Sequence, residues 1–265
     1  MLFAVIPAKN EENRIGIILH QLINLGVNRI VVVLNGSTDN TLKEVKSKKF
    51  PGLDILYFKN SLGIDVPRAV GAKYAYQEGA RFVLFVDGDL IGNIGHDLKS
   101  LINKSMVNNL DLNMTNCYPT LPQLTYLTKI IIHFRQLLNQ ETGLIEKIGI
   151  SSPSHGPHLV SRRLLEKVPF KELAIPPVEM VMALKEGLKI DVGVEIPHNR
   201  LGSSIKNNHH SQMIVKTIAG DCLEALSIYQ GKQRSRFYEG VEYIGYHKYR
   251  RWDLLANFLA EFNKK

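Results

Sequence analysis

The chain has 265 residues, 45% hydrophobic and 22% charged, and its 33 Lys and Arg against 25 Asp and Glu give a formal net charge of +8. This composition is that of a folded globular protein and excludes extensive disorder. Cys117 and Cys222 are too few for a disulfide framework. The basic residues are scattered and accompany no nucleic-acid-binding motif, so nucleic acid is not an expected partner. Without a secretory signal or a spanning apolar run, we expect a cytoplasmic protein.

The first ninety residues alternate short apolar runs with segments of helical periodicity. The runs predict strands and the periodic segments predict helices, with strands at 2–7, 30–35, 53–58 and 81–87 and helices at 11–25 and 66–79. Nearly continuous apolar strands that alternate with helices are typical of a parallel sheet buried on both faces. We therefore predict an α/β protein with a Rossmann-like, mostly parallel sheet flanked by helices.

The pattern becomes looser after Asp89. It predicts helices at 96–108, 126–138 and 179–186, strands at 110–116 and 188–196, a loop at 149–157, and a mostly helical tail from about residue 206. We divide the chain into a first half, 1–117, and a second, smaller region with the C-terminal helices, 118–265, within one integrated domain.

Polar segments follow three of the predicted strands, namely AKNEE at 8–12, NGSTD at 35–39 and DGD at 87–89. In open parallel sheets ligands bind beyond the carboxyl ends of the strands, so we expect these segments to form one site. Asp87 and Asp89 would repel each other unless a cation lay between them, and Mg²⁺ or Mn²⁺ prefers such oxygen ligands. The alternative for DGD by itself is an ordinary Asp-Gly turn.

The segments IPAKNEENRI, VVVLNGSTDNT and RFVLFVDGDL, in this order, resemble the family 2 glycosyltransferases and their relatives with the glycosyltransferase A fold. The resemblance implies a hexosyltransferase that uses a nucleotide-diphosphate sugar, bound by the first half, and a divalent cation, Mn²⁺ or Mg²⁺. It implies that the DGD segment is the DxD motif, with Asp87 and Asp89 on the metal and Gly88 beside the diphosphate. The nucleotide pocket is then lined by Pro7, Ala8, Asn10, Glu12 and Asp39, the last against the base. Asn35 departs from the family, because many relatives carry an acidic residue there, and its contact with base or ribose is expected to differ.

Further residues are candidates for the chemistry. Arg68, or Lys73 on the same predicted helix, is placed to stabilise the diphosphate leaving group, although Lys73 is equally expected to be a surface charge. Glu179 occupies the place of the base that deprotonates the acceptor in inverting relatives, although a Glu in the first turn of a helix also meets the positive end of the helix dipole. His198, after a strand, is the candidate third metal ligand, with a plain loop role as the alternative. PPVEM also resembles the GVE stretch of glucosyl-3-phosphoglycerate synthases, which retain configuration, so stereochemistry stays open.

The acceptor site is expected in the second half, and the sequence does not identify the acceptor. Arg162 and Arg163 suit an anionic acceptor group or form an exposed helix face. The apolar and basic stretches 126–138 and 246–262 suit contact with the inner membrane face and a lipid-linked acceptor, but core packing or a homodimer contact is favoured.

Two other functions compete with sugar transfer. A nucleotidyltransferase is expected to carry a Gly-rich basic signature near the first strand, where this chain has AKNEE. A non-catalytic nucleotide-binding relative is disfavoured by the presence of Asp39, Asp87 and Asp89.

Overall fold

The computed structural model of the chain describes residues 1–120, 124–203 and 207–262 and contains a seven-stranded sheet. The strand order is β3-β2-β1-β4-β6-β5-β7, and every strand is parallel to the others except β6. The strands are β1 (Leu2–Ala8), β2 (Arg29–Asn35), β3 (Leu53–Phe58), β4 (Phe82–Phe85), β5 (Leu112–Asn116), β6 (His158–Ser161) and β7 (Ile190–Glu195). The predicted mostly parallel α/β sheet is confirmed.

Helices cover both faces of the sheet. They are α1 (Ile15–Asn24), α2 (Thr41–Ser47), α3 (Val66–Gln77), α4 (Gly95–Asn108), α5 (Tyr126–Glu141), α6 (Ile145–Ile148), α7 (Arg162–Lys167), α8 (Pro176–Lys185), α9 (Asn208–Tyr229) and α10 (Trp252–Phe262). Successive strand residues point to opposite faces, so Val31 and Val33 pack in one apolar cluster, with residues of α3, α8 and α9, while Val32 and Leu34 pack in the other, with α1 and α4. Burial on both faces explains the uninterrupted apolar runs of the sequence.

Strand β6 is not predicted by the sequence and runs antiparallel between β4 and β5. It has only four residues, all buried, and follows the Gly-Ser-Pro loop 149–157. A buried segment this short has no alternation of polar and apolar residues, which is why periodicity does not reveal it. Its antiparallel direction places His158 opposite Phe85, at the same edge of the sheet as the carboxyl end of β4.

The predicted helical tail is interrupted. Its expected start near residue 206 lies outside the described residues, and α9 begins at Asn208, where the side chain of Asn207 accepts a hydrogen bond from the N–H of His210 at 2.8 Å. Between α9 and α10 the chain forms a hairpin of two short strands, β8 (Phe237–Tyr238) and β9 (Val241–Glu242), and a short 3-10 helix, Gly245–Tyr249.

The two halves of the chain interlock. Strands β6 and β7 of the second half lie in the sheet begun by the first, and the C-terminal Arg250 reaches back to the segment before α3, donating to Asp65 at 3.1 Å. The division at residues 117 and 118 therefore falls within one sheet and stays a prediction about function.

Candidate active site

The loops after β1 and β2 are joined by hydrogen bonds. Asn10 has a left-handed backbone (φ 58°), and its N–H donates to the hydroxyl of Ser37 at 3.2 Å. The side-chain oxygen of Asn10 accepts from the N–H of Thr38 at 2.8 Å. Asparagine tolerates this conformation better than most residues, so the Asn that follows Lys9 fits the turn. The predicted meeting of the segments 8–12 and 35–39 is what the structure shows.

Asp39 and Glu12 form a reciprocal pair within these loops. The backbone N–H of Glu12 donates to Oδ2 of Asp39 at 3.2 Å, and the N–H of Asn40 donates to Oε2 of Glu12 at 2.8 Å. Oδ1 of Asp39 accepts from the N–H and the hydroxyl of Thr41, at 3.0 and 2.5 Å. Burial acts to raise the pKa of Asp39, but these hydrogen bonds outweigh it and lower the pKa. Asp39 is therefore ionised, with acceptor capacity left on Oδ2.

The DGD turn packs on the end of β1. The N–H of Gly88 donates to the carbonyl of Pro7 at 3.1 Å, and a Cβ at position 88 would lie 3.2 Å from that oxygen and 3.4 Å from the side chain of Ala8. Glycine at position 88 therefore permits the close approach of the two backbones. Ala8 is buried in this contact and Pro7 is half-buried, so both residues form the floor on which the DGD turn rests.

Asn35 is buried, and its side chain is hydrogen-bonded to the backbone of the segment after β3. Its side-chain nitrogen donates to the carbonyl of Gly63 at 3.0 Å, and its oxygen accepts from the N–H of Leu62 at 2.6 Å. An aspartate here could not donate to Gly63, which gives a physical reason for the amide where many relatives are acidic. Its contact with a base or ribose stays a prediction.

Arg68 is bound to the first carboxylate of the DGD turn. Its Nη2 donates to both oxygens of Asp87, at 2.7 and 2.9 Å, and its Nη1 donates to the carbonyl of Pro153 at 3.2 Å. Only 6% of Arg68 is exposed, whereas 35% of the Asp87 side chain is. In the structure the guanidinium of Arg68 binds Asp87, and a contact of Arg68 with a diphosphate stays a prediction.

A cavity of about 830 Å³ opens beside the DGD turn. Asp87, Asp89 and His198 all line it. Strand β7 is followed by a short 3-10 helix, His198–Arg200, which reaches the site because the N–H of Gly92 donates to the carbonyl of Leu201 at 2.9 Å. Carboxylate and imidazole groups are suitable ligands for Mn²⁺ or Mg²⁺, although the ligand atoms of Asp87, Asp89 and His198 do not all lie within 4.8 Å of one another.

His198 belongs to a chain of three side chains that the sequence did not connect. Nη1 of Arg135 lies 3.4 Å from Nδ1 of His155, and Nε2 of His155 lies 2.9 Å from Nδ1 of His198. Burial and the nearby Arg135 lower the pKa of both histidines, so both rings are neutral at pH 7. Because a guanidinium only donates, His155 donates in turn from Nε2, and the proton of His198 lies on its own Nε2. Metal binding through that nitrogen requires both rings to exchange tautomers.

Glu179, at the start of α8, is 1% exposed and does not line the cavity. Burial raises its pKa to about 8, while Arg68 acts to lower it and Asp65 to raise it. Its Oε2 lies 4.0 Å from Nε2 of His158, whose pKa burial lowers far below the usual value. Both groups are therefore neutral at pH 7, and their contact is not an ion pair. Oε1 of Glu179 has no hydrogen-bond partner.

Arg162 and Arg163 lie at the opposite edge of the sheet from the cavity. The N–H of Arg162 donates to the carbonyl of Arg81, just before β4, and its side chain donates to Glu166 at 3.0 Å. Arg163 is 3.5 Å from Asp111. Strand β6 is antiparallel, so the residues after it leave at the amino ends of the parallel strands, and neither arginine faces the cavity.

A second acidic cluster lies behind the site. Among the described residues, only Asp221, Glu224 and His247 bring three potential metal-ligand atoms within 4.8 Å of one another. Nη1 of Arg236 lies 2.8 Å from Asp221, 2.8 Å from Glu224 and 3.1 Å from His247, and Arg250 donates to Asp221 as well. Guanidinium groups therefore take the place of a cation there.

Across the described parts of the chain, none of the helices has the length and hydropathy of a membrane-spanning segment.

The sequence matches a known protein family over more than half of its length. The sequence model of glycosyl transferase family 2 matches residues 3–168. No curated protein matches the sequence significantly.

Several solved structures share the fold. Mycobacterium tuberculosis glucosyl-3-phosphoglycerate synthase is 18% identical, with a TM-score of 0.62 over 89% of this chain and 82% of that one. Its complex with Mn²⁺ and uridine-diphosphate-glucose is 19% identical, with a TM-score of 0.59 over 89% and 81%. Staphylococcus aureus TarS is 18% identical, with a TM-score of 0.51 over 87% of this chain and 43% of that one. The chain therefore belongs to glycosyl transferase family 2 and is a nucleotide-sugar-dependent glycosyltransferase with the glycosyltransferase A fold.

Proposed function

We propose that the chain transfers a sugar from a nucleoside-diphosphate sugar to an acceptor hydroxyl, with a divalent cation at the DGD turn. The observation that carries this proposal is the position of that turn. It rests on Pro7 and Ala8, beside the loops joined by Asn10 and Asp39, and it also forms one wall of the 830 Å³ cavity. A donor whose base lies at the loops and whose sugar enters the cavity has its diphosphate at the turn.

The nucleotide side is suited to a base with an N–H donor. Asp39 is ionised and its Oδ2 accepts only from Glu12 among the described contacts, which leaves an acceptor position. Carboxylates accept strong hydrogen bonds from imide or amino groups. The complexes of the M. tuberculosis synthase with uridine-diphosphate and with uridine-diphosphate-glucose make these the first nucleotide and donor to test.

At the metal position Asp89 and Asp87 supply carboxylates, and His198 joins them once its tautomer changes. When bound, the cation neutralises the charge that develops on the diphosphate leaving group. Arg68 orients Asp87 by its two hydrogen bonds. The synthase complex with Mn²⁺ makes that ion the first to test.

Glu179 is the candidate base for the acceptor proton, under two conditions that the structure sets. Because its pKa is about 8, the carboxyl group must first lose its own proton before it can accept one from the acceptor. Because Glu179 is buried, the residues that cover it must move before the acceptor can reach it. A base with this pKa gives a transfer rate that increases with pH up to about 8.

The direct test is a thermal-shift series of nucleoside diphosphates with and without Mn²⁺, followed by product analysis with the nucleotide sugar of the base that binds. A ligand of the native state raises the melting temperature by mass action, so we expect one nucleotide to act strongly only when Mn²⁺ is present. Shifts that are equal with and without metal would contradict the metal position. Absence of a shift with every nucleotide would contradict the nucleotide site itself.

A further inference from the structure

Arg135, on α5, is a buried cation without a carboxylate. It is 2% exposed, and its hydrogen-bonding partners are the hydroxyl of Ser154 at 3.0 Å and the ring of His155 at 3.4 Å. Its Nε is buried and has no partner. Burial lowers the pKa of Arg135, and no Asp or Glu in the described parts of the chain lies near enough to oppose that effect.

The other buried arginines of the described chain are paired. Arg68 binds Asp87, Arg236 binds Asp221 and Glu224, and Arg250 binds Asp221 and Asp65. A buried ion is strongly unfavourable unless it is paired, and in the other three cases the chain supplies the partner itself. Arg135 is therefore the exception among them, and an anion from outside the chain would supply the missing partner.

The position of Arg135 shows where that anion enters. Arg135 lines the 830 Å³ cavity, whereas the residues that join the loops after β1 and β2 do not line it: Asn10, Glu12, Thr38 and Asp39. Next to Arg135, the cavity wall carries the aromatic ring of Tyr118 and the imidazole of His155, whose centroids are 5.2 Å apart. Farther along, α5 and α9 supply apolar and hydroxyl side chains, among them Ile131, Ile214, Val215, Thr128 and Ser211.

We propose that Arg135 is the receptor for a phosphate or carboxylate group of the acceptor, so that the substrate that receives the sugar is a small anionic molecule. A guanidinium binds either group through two parallel N–H donors, and Ser154 and His155 are the neighbours that the anion would displace or join. The proposal rests on the glycosyltransferase function above. It adds a specificity residue to the acceptor side, distinct from the donor diphosphate at the DGD turn.

The test compares the wild-type chain with Arg135→Met, in which the charge is lost and the volume is kept. Arg163→Met is the matched control, because that arginine is exposed and lies at the other edge of the sheet. Inorganic phosphate and malonate serve as tetrahedral and planar anion probes. Melting temperatures are measured at increasing probe concentration, both without and with saturating Mn²⁺ and the strongest-binding nucleoside diphosphate.

We expect phosphate or malonate to stabilise the wild type and Arg163→Met alike, and the stronger of the two names the acceptor group. Arg135→Met should need at least about tenfold more anion for the same shift, since a charge-assisted hydrogen bond is lost. Its stabilisation by nucleotide and Mn²⁺ should be retained, since Asp87 and Asp89 are unchanged and the loss of Arg135 only frees the tautomers of His155 and His198. A retained donor response separates a failure of this proposal from a failure of the donor site.

Three results would overturn the proposal. The first is that neither anion stabilises the wild type, and the second is that Arg135→Met responds to anion as strongly as the wild type does. The third is that the anion response disappears once nucleotide and Mn²⁺ are saturating, because the anion would then occupy the place of the donor diphosphate. If Arg135→Met shows no cooperative melting, Arg135→Lys replaces it. Lysine keeps the charge but not the paired donors, so its anion response must be weaker than that of the wild type, and an equal response contradicts the proposal.

Discussion

Two regions differ in how their polar groups are satisfied. One is the pair of loops that we propose to bind the nucleotide (the nucleotide side), and the other is the cavity with the buried residues around it, which we propose to bind the acceptor (the acceptor side). In the loops after β1 and β2, Asn10, Glu12 and Asp39 hold one another through backbone and side-chain hydrogen bonds. Buried side-chain atoms without a hydrogen-bond partner occur elsewhere. Within the described chain, all of them belong to residues between 113 and 179: Asn113, Arg135, Asn139, Ser151, His158 and Glu179. Arg135 is the one among them that lines the cavity.

This difference indicates two kinds of binding site. The nucleotide side is formed before the ligand arrives, so the loops lose little conformational freedom on binding. The acceptor side contains a cation and a carboxylic acid whose partners are incomplete, and buried polar atoms without partners are rare unless a function requires them. Substitutions on the two sides should therefore have different consequences for stability and activity.

The largest effect is expected at the turn that connects the two sides. Asp89→Asn removes a carboxylate from the metal position, so we expect transfer to decrease at least about a hundredfold. The melting temperature without metal should change little, because Asn keeps the shape of the half-buried Asp89 side chain in the cavity wall. Product formation and thermal melting measure the two effects. Asp253→Asn, at an exposed aspartate, is the control, and equal activity of both variants would remove Asp89 from the metal site.

Arg68→Met should destabilise the fold and weaken catalysis together. It leaves Asp87 without its bidentate partner and Asp65 with Arg250 alone, and loss of one partner of a buried ion pair costs about 3–5 kcal/mol. Chemical denaturation and the Mn²⁺ dependence of transfer test this. A variant as stable as the wild type would show that Asp87 does not depend on Arg68, and the two sides would then be less connected than the contacts indicate.

Glu179→Gln should stabilise the chain at pH 8 and not at pH 4. The native state keeps the Glu179 proton up to a pKa of about 8, whereas the unfolded chain releases it near pH 4.3, so the wild type loses stability as pH rises between these values. The loss is at most about 5 kcal/mol, and the variant lacks it. Denaturation at pH 4, 6 and 8 measures the difference.

The same variant tests catalysis. If Glu179 is the base, Glu179→Gln abolishes the rise of the transfer rate up to about pH 8. A variant that keeps the wild-type pH profile would show that Glu179 has a structural role only.

Asp39→Asn should chiefly weaken donor binding. The new amide nitrogen cannot accept from the N–H of Glu12, so the loop loses a hydrogen bond at a cost of about 1–2 kcal/mol. We expect about tenfold weaker nucleoside-diphosphate binding, measured by calorimetry, with the acceptor KM unchanged. A change in acceptor KM alone would contradict the division between the two sides.

Arg163→Met should have the smallest effect. Its side chain is 59% exposed, and its partner Asp111 also accepts from the hydroxyl of Ser161 and the N–H of Lys189. Exposed ion pairs contribute about 0–1 kcal/mol, so stability and acceptor KM should change little. A marked increase in acceptor KM would restore the sequence-based interpretation that this arginine binds the acceptor.

The sequence by itself determined the parallel sheet and the meeting of the segments at 8–12, 35–39 and 87–89. Both follow from local order, because apolar runs specify buried strands and parallel strands end at a common edge. The tertiary structure decided the rest. In the folded chain, strand β6 lies between β4 and β5, and Arg162 and Arg163 lie at the edge of the sheet opposite the cavity. Arg68 binds Asp87, and Arg135 lines the cavity. These features depend on which side chains are buried together from distant parts of the chain, and the periodicity of one segment carries no information about the charge of its neighbours in space.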